Sequence, residues 1–418
     1  MGRRPVLIAF GLFLAMAVVA VVAILTEGTT KDAEPPRPLD PTVEPTWSTG
    51  VFAVNNLGVD VRDEMALVPG QKEGLGLRDA ASGEPRWLIE PGGELPGGGG
   101  ARWLETGDVP QLVTHDDGLA AVVMDQRCDP CPVGDPDHAP TELGVSLLSG
   151  EDGRVLWRTP LVPAERIAQD QAGISTFLAD DRIVVVGVMA EADVEVEVRT
   201  IAVDIDDGSV LWEVPDVSPL AIAGDVVLTV GHPFLMSEEI GTGGLAAGSV
   251  AAVDAATGEQ LWDLRDQHDR SQLVLVAGDV ALVRVVGEGK RHPRGLVITI
   301  DRAQVLEELG YGDLAGCATD QRQIVCPRDG DLWMFQVTDG EVRTLSPEVE
   351  VTRVDALTED RIYVTANRNR HSVDLEGRLV DENLPGRFVA RGEDWVIFQT
   401  SDDPQPVEAF IDGYRLGG

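Results

Sequence analysis

The chain has 418 residues, of which 33 are basic and 71 acidic, for a formal net charge of −38. That balance argues against a nucleic-acid partner, because phosphate binding needs a basic face. At 43% hydrophobic residues the chain is not disordered, and its length exceeds one ordinary domain unless the fold is a repeat or a closed ring.

Pro5 to Leu25 is a run of 21 residues without a charge. At about 1.5 Å per residue a helix of that length crosses a hydrocarbon core of about 30 Å. Arg3 and Arg4 precede the run and Glu27 follows it, which places residues 1–4 in the cytoplasm and the rest outside. A cleaved signal peptide is the alternative, but such apolar regions are shorter and end at small residues, whereas Ala15-Met16-Ala17 lies mid-run. No cysteine precedes Cys128, so a lipid-modified N-terminal cysteine is not expected. Residues 26–45 carry five prolines and no core-forming run, and read as a stiff extracytoplasmic linker. Arginine outnumbers lysine by 30 to 3, the bias of a high-GC genome such as an actinobacterial one.

From about residue 46 onward, short apolar strand patterns are broken every eight to twelve residues by Gly, Asp or Pro. One acidic turn recurs eight times, from Arg62-Asp63-Glu64 to Glu393-Asp394, at a mean spacing of about 47 residues, the length of one four-stranded propeller blade. A second motif keeps four-residue steps: Asp79…Gly83…Trp87, Ser149…Gly153…Trp157, Asp204…Gly208…Trp212 and Asp254…Gly258…Trp262. It reads as a strand ending in Asp or Ser, a hairpin turn with Gly at positive φ, and a return strand whose Trp covers a neighbouring blade. The signature decays afterwards. Asp301 has no Gly-Trp partner, Gln336…Gly340…Thr344 keeps only Gly, Asp374…Gly377 is shorter, and Asp412-Gly413 comes last.

The stretches 74–87, 200–212 and 249–262 resemble the tryptophan-docking repeat of pyrroloquinoline-quinone-like β-propellers. The resemblance spans about residues 47–416, and is strong in the first four units and weak in the last four. It implies an all-β, eight-bladed propeller, or a seven-bladed one if the last unit is only a closing strand. Thr46-Trp47-Ser48-Thr49 resembles the Trp-bearing outer strands, so the N-terminal segment is expected to close the ring. Two insertions stand out, at 91–110 and 126–141.

Cys317 and Cys326 flank the turn at Gln321-Arg322 in matching antiparallel register, which permits a cross-strand disulfide. Cys128 and Cys131 form a C-x-x-C with three readings: a structural disulfide, a redox-active pair, or a zinc site with Asp135, Asp137 or His138. Asp204 to Gly208 only imitates a calcium loop, because its twelfth position is Pro215 rather than Glu. Gly241 to Ala246 imitates a dinucleotide fingerprint, but a strand follows it where a helix is required. No two of the six histidines have ligand spacing, and neither a G-x-S-x-G elbow nor an H-E-x-x-H helix occurs.

No catalytic, cofactor-binding or metal residue is assigned. Trp87, Trp157, Trp212 and Trp262, with Asp79, Asp204 and Asp254 and with Gly83, Gly153, Gly208 and Gly258, are expected to dock blades rather than to do chemistry. The function expected is a membrane-tethered extracytoplasmic module binding an unknown envelope protein, peptide or small ligand, without a cofactor. The resemblance also admits a quinoprotein dehydrogenase using pyrroloquinoline quinone with calcium. That reading implies adjacent cysteines over the quinone, which this sequence lacks. A third reading is a sensor ectodomain that signals through a separate protein, since only residues 1–4 would lie inside.

Overall fold

Short runs of Val, Ile, Leu and Ala cut by Gly and Asp turns fold as antiparallel four-stranded sheets. The computed structural model describes residues 44–52, 59–70, 74–104, 110–116, 118–127, 141–163, 173–192, 195–231, 248–268, 270–286, 293–310, 314, 316–392, 395–400 and 408–416. The membrane span expected at 5–25 and most of the linker lie outside them, as do Cys128 and Cys131. Among the described residues no helix is long and apolar enough to cross a membrane.

Eight blades follow one another along the chain. Blade 3 is representative, with strands Gly173–Ala179, Ile183–Ala192, Glu195–Asp204 and Val210–Pro215 paired in chain order. The first strands of successive blades touch one another and so line the axis, while the fourth strands form the rim. Second and third strands are covered on both faces by adjacent blades, so they read as continuous apolar runs; Met65–Gly70 is buried throughout. The outer strand Pro85–Ile89, by contrast, is buried only at Trp87 and Ile89.

The last blade is built from both ends of the described chain. Its first three strands are Arg387–Arg391, Trp395–Thr400 and Glu408–Arg415, and its fourth is Trp47–Phe52. Trp47 lies opposite Gly413 and Ser48 opposite Asp412. The N-terminal segment therefore closes the ring as expected, and the count is eight rather than seven. Each blade-to-blade seam holds its own hydrophobic cluster, and the cluster of Ala66, Val68, Ile397 and Ile411 joins blade 8 to blade 1.

Three details differ from the sequence pattern. In blade 5 the motif is carried by Thr299…Ala303…Glu307, not by Asp301. The Ala303 N–H donates to the Thr299 carbonyl at 3.0 Å, as Gly258 does to Asp254 at 2.8 Å, and Ala303 takes the glycine conformation at φ +55°. Alanine at a glycine position and glutamate at a tryptophan position hid the repeat there. Asp412-Gly413 is not a turn but lies inside the third strand of blade 8. The insertion at 91–110 is in part built into blade 2, where Arg102–Trp103 pairs with Gly118–Arg127 and Leu95, Ala101 and Trp103 are buried.

Candidate functional site

In blades 1 to 5 the C-terminal hairpin turn is a junction between blades. In blade 4 the Asp254 Oδ1 accepts hydrogen bonds from the N–H groups of Ala256 and Thr257 at 3.0 and 2.9 Å. The next residue, Ala255, donates its N–H to the Asp225 carbonyl at the blade's first turn, 2.9 Å away. Its carbonyl accepts the indole N–H of Trp212 from blade 3 at 2.8 Å. The Trp212 ring lies against Gly258, where a Cβ would sit 2.9 Å from ring carbon Cδ2. One dipeptide thus ties two turns of its own blade to the blade before it.

The same lock recurs at the seams from blade 8 round to blade 5. Trp157 donates to the Ile205 carbonyl at 2.8 Å and covers Gly208. Trp262 donates to Ile300 at 2.7 Å. Trp87 covers Gly153 without an indole hydrogen bond. Asp79 and Asp204 cap their turns through the N–H groups of Ser82 and Asp206, both at 2.7 Å. Trp47, from the closing strand, donates to Ala80 at 2.9 Å and covers Gly83 of blade 1.

These turns share one end of the ring with the acidic first turns. Arginines stitch them across blades: Arg62 to Asp181 at 2.5 and 2.6 Å, Arg182 to Asp225 at 2.5 Å, and Arg322 to Glu359 at 2.6 Å. The bond from Arg62 holds Asp181 below the ordinary carboxylate range. Deeper, burial pushes Asp60 above that range, although its Oδ2 accepts the Leu112 N–H at 2.6 Å. Between blades 4, 5 and 6 a cleft of about 810 Å³ opens, with Ile222 and Val276 among its apolar lining and Asp225, Asp279, Asp301 and Arg302 among its polar groups. Asp301 is held low by the Thr299 hydroxyl and by Arg302, which lies 2.8 Å from it. The cleft can seat a chain segment of a few residues and favours a cationic group at its acidic edge.

Two buried ion pairs stiffen other blades. Asp125 and Arg158 meet at 2.6 Å in blade 2, with the Ser146 hydroxyl on the same carboxylate at 2.6 Å. Burial pushes Asp125 upward against the pull of Arg158 and Ser146. In blade 7 Arg361, 1% exposed, pairs with Asp381, which also accepts from the Ser372 hydroxyl. Tyr363 stacks on Phe388 of blade 8 with ring centroids 3.9 Å apart. Sequence reading missed these pairs because their members come from strands with no shared motif.

Cys317 and Cys326 are disulfide-bonded, their Cα atoms 4.2 Å apart. They extend the ladder in which Ala318 faces Val325. His115 makes a 3.2 Å contact from its Nε2 to the Asp206 carbonyl, and His371 is buried in blade 7. Among the described residues no three His, Cys, Asp or Glu side chains could hold a metal ion. The described cysteines are nine residues apart rather than adjacent.

Comparison with known proteins agrees with this architecture. The family described as outer membrane protein assembly factor BamB matches residues 141–344. Among solved structures, the Dos1 propeller is similar at 10% identity and a TM-score of 0.50, covering 90% of this chain and 96% of that one. BamB from Moraxella catarrhalis is similar at 14% identity and a TM-score of 0.47, covering 87% and 95% of the two chains. The computationally designed Ika8 protein is similar at 14% identity and a TM-score of 0.48, covering 86% and 95%. No curated protein matches the chain.

Proposed function

On the premise that the chain is an eight-bladed β-propeller of pyrroloquinoline-quinone-like repeats, we propose that it is a binding scaffold for a protein partner, held at the outer face of a membrane by residues 5–25. The observation that carries this reading is the lock repeated from blade 8 round to blade 5, which with the hydrophobic seams of the remaining blades fixes the ring and leaves the loops at its two ends as the variable parts. Rigid scaffolds of this kind carry binding on their connecting segments. The family match supports an assembly role, since its description names an assembly factor. The apolar run after Arg3 and Arg4 and the proline-rich stretch that follows support the tethered placement.

The test is photo-crosslinking of the full-length chain in its own cells. A crosslinking side chain replaces Asp279 at the cleft between blades 4 and 6, or Arg328 at the opposite end of blade 6. A discrete adduct from one end and not the other is expected of a scaffold with one partner. Absence of any discrete protein adduct from either end would refute the proposal.

A further inference from the structure

The first turns of blades 4 and 5 repeat the same four residues, Ala223-Gly224-Asp225-Val226 and Ala277-Gly278-Asp279-Val280. Each is a two-residue hairpin turn, with Ala223 opposite Val226 and Ala277 opposite Val280, and in each the glycine takes φ +55° at the first turn position. The main-chain carbonyls of Asp225 and Asp279 accept the N–H groups of Ala255 and Ile300, both at 2.9 Å. One local structure is therefore built twice.

In blade 4 this turn holds a guanidinium. Arg182 donates from Nη1 to the Asp225 Oδ1 at 2.5 Å and from Nη2 to the Gly224 carbonyl. Arg182 stands immediately before the second strand of blade 3, and Arg322, immediately before that of blade 6, likewise reaches Glu359 in the first turn of blade 7 at 2.6 Å. The residue at that place in blade 4 is Asp225, so blade 4 sends no arginine to the turn of blade 5. Among the described residues nothing donates to the Asp279 carboxylate. Gly278 and Asp279 line the cleft of about 810 Å³ between blades 4, 5 and 6, with Gly224, where an added Cβ would meet nothing within 4 Å. The other acids of the cleft are paired, Asp225 with Arg182 and Asp301 with Arg302. Ile222 and Val276, each half-buried on a first strand, supply its apolar wall.

We infer that this cleft takes an arginine side chain from a segment of a protein partner, with its guanidinium on the Gly278 carbonyl and the Asp279 carboxylate, as Arg182 lies on Gly224 and Asp225. Apolar neighbours of that arginine pack on Ile222 and Val276. This rests on the reading of the chain as a protein-binding scaffold. A guanidinium fork serves a carbonyl and a carboxylate together, whereas an ammonium is a single point charge. The unmatched charge of Asp279, in a chain of net charge −38, draws a cationic segment to this mouth. A second copy of the chain is the weaker fit, because two bodies of that charge repel one another.

The experiment uses the full-length chain in neutral detergent and a fluorescein-labelled Gly-Ile-Arg-Ile-Gly peptide, read by anisotropy, with free arginine amide as competitor. Saturable, salt-sensitive binding is expected, at least about three-fold weaker with lysine in place of the arginine and at least about ten-fold weaker with citrulline. It should weaken at least about ten-fold in Asp279→Asn and stay unchanged in Asp216→Asn, which precedes the far end of the first strand of blade 4. Asp225→Arg puts an arginine where Arg182 stands one blade earlier, so it should fill the blade 5 turn from within and weaken the peptide at least about ten-fold; it keeps the test decisive if the Asp279→Asn chain fails to fold. No saturable binding by the unmodified chain, undiminished binding in either of these two variants, or equal binding of the arginine and lysine peptides would overturn the inference. Displacement by arginine amide as effective as by unlabelled peptide would overturn the protein-segment occupant. In cells, a crosslinking side chain in place of Gln321, which lines the cleft beside the turn, should give an adduct that Asp279→Asn diminishes. An undiminished adduct would sink this arginine site and leave the scaffold reading standing.

Discussion

Replacing Trp212 by alanine tests the inter-blade lock at one of its best-formed positions. The side chain is 7% exposed, its ring lies against Gly258, and its indole N–H reaches the Ala255 carbonyl at 2.8 Å. Removing a buried tryptophan costs about 3–5 kcal/mol through lost burial and the cavity left behind. The lost hydrogen bond accounts for about 1 kcal/mol of this, and Trp212→Phe isolates that part by keeping most of the ring. Both variants are measured by urea unfolding followed by far-UV circular dichroism, so that loss of a fluorophore does not enter. The expected order is unmodified chain, Phe variant, Ala variant, with the last at least about 3 kcal/mol down. A loss below about 1 kcal/mol for the alanine variant would refute the argument that this ring binds two blades together.

Other expectations follow from the same geometry. Gly258→Ala would place a Cβ 2.9 Å from Trp212, whereas Gly340→Ala in blade 6 meets nothing within 4 Å, and both glycines have φ near +72°. The first should therefore lower stability by about 1–3 kcal/mol more than the second, and equal losses by urea unfolding would contradict a tryptophan dock. Asp381→Asn removes the carboxylate from the buried Arg361 and should cost about 3–5 kcal/mol; a change within about 0.5 kcal/mol would show that the pair is not buried. Reducing Cys317–Cys326 should lower the blade 6 melting temperature with a loss of about 2–3 kcal/mol, and no shift under reductant would contradict the bond. Asp60 has a raised folded-state value, so its contribution is fullest when protonated and declines as pH rises through the unfolded and then the folded value. The stability of Asp60→Asn relative to the unmodified chain should therefore rise between about pH 4 and pH 7, and a fall over that range would reverse the assignment.

The ring was legible because its turns are governed locally. A glycine four residues before a tryptophan fixes a hairpin and a dock within one short segment, and the segment at Trp47 shares the pattern of the other outer strands. Blade 5 was misplaced because Ala303 adopts a glycine conformation at a position where the sequence shows no glycine. The seams were not legible. Asp381 reaches Arg361 across two strands, and Arg62 meets Asp181 two blades away, pairings set by the closed ring and not by spacing. The weak half of the repeat is held by other means. Glu307 stands at the tryptophan position of blade 5, Gly340 of blade 6 has nothing packed on it, and blade 6 carries the disulfide. Blades 7 and 8 meet through the Tyr363–Phe388 stack, beside the buried Arg361–Asp381 pair.

Closure of the ring by the N-terminal strand is the claim on which the scaffold account depends, and amide hydrogen exchange of Trp47–Phe52 tests it most directly. Protection of these amides close to that of Glu408–Arg415, with both lost together as urea is raised, is the predicted result. Exchange of Trp47–Phe52 at free-chain rates while Glu408–Arg415 stays protected would contradict it.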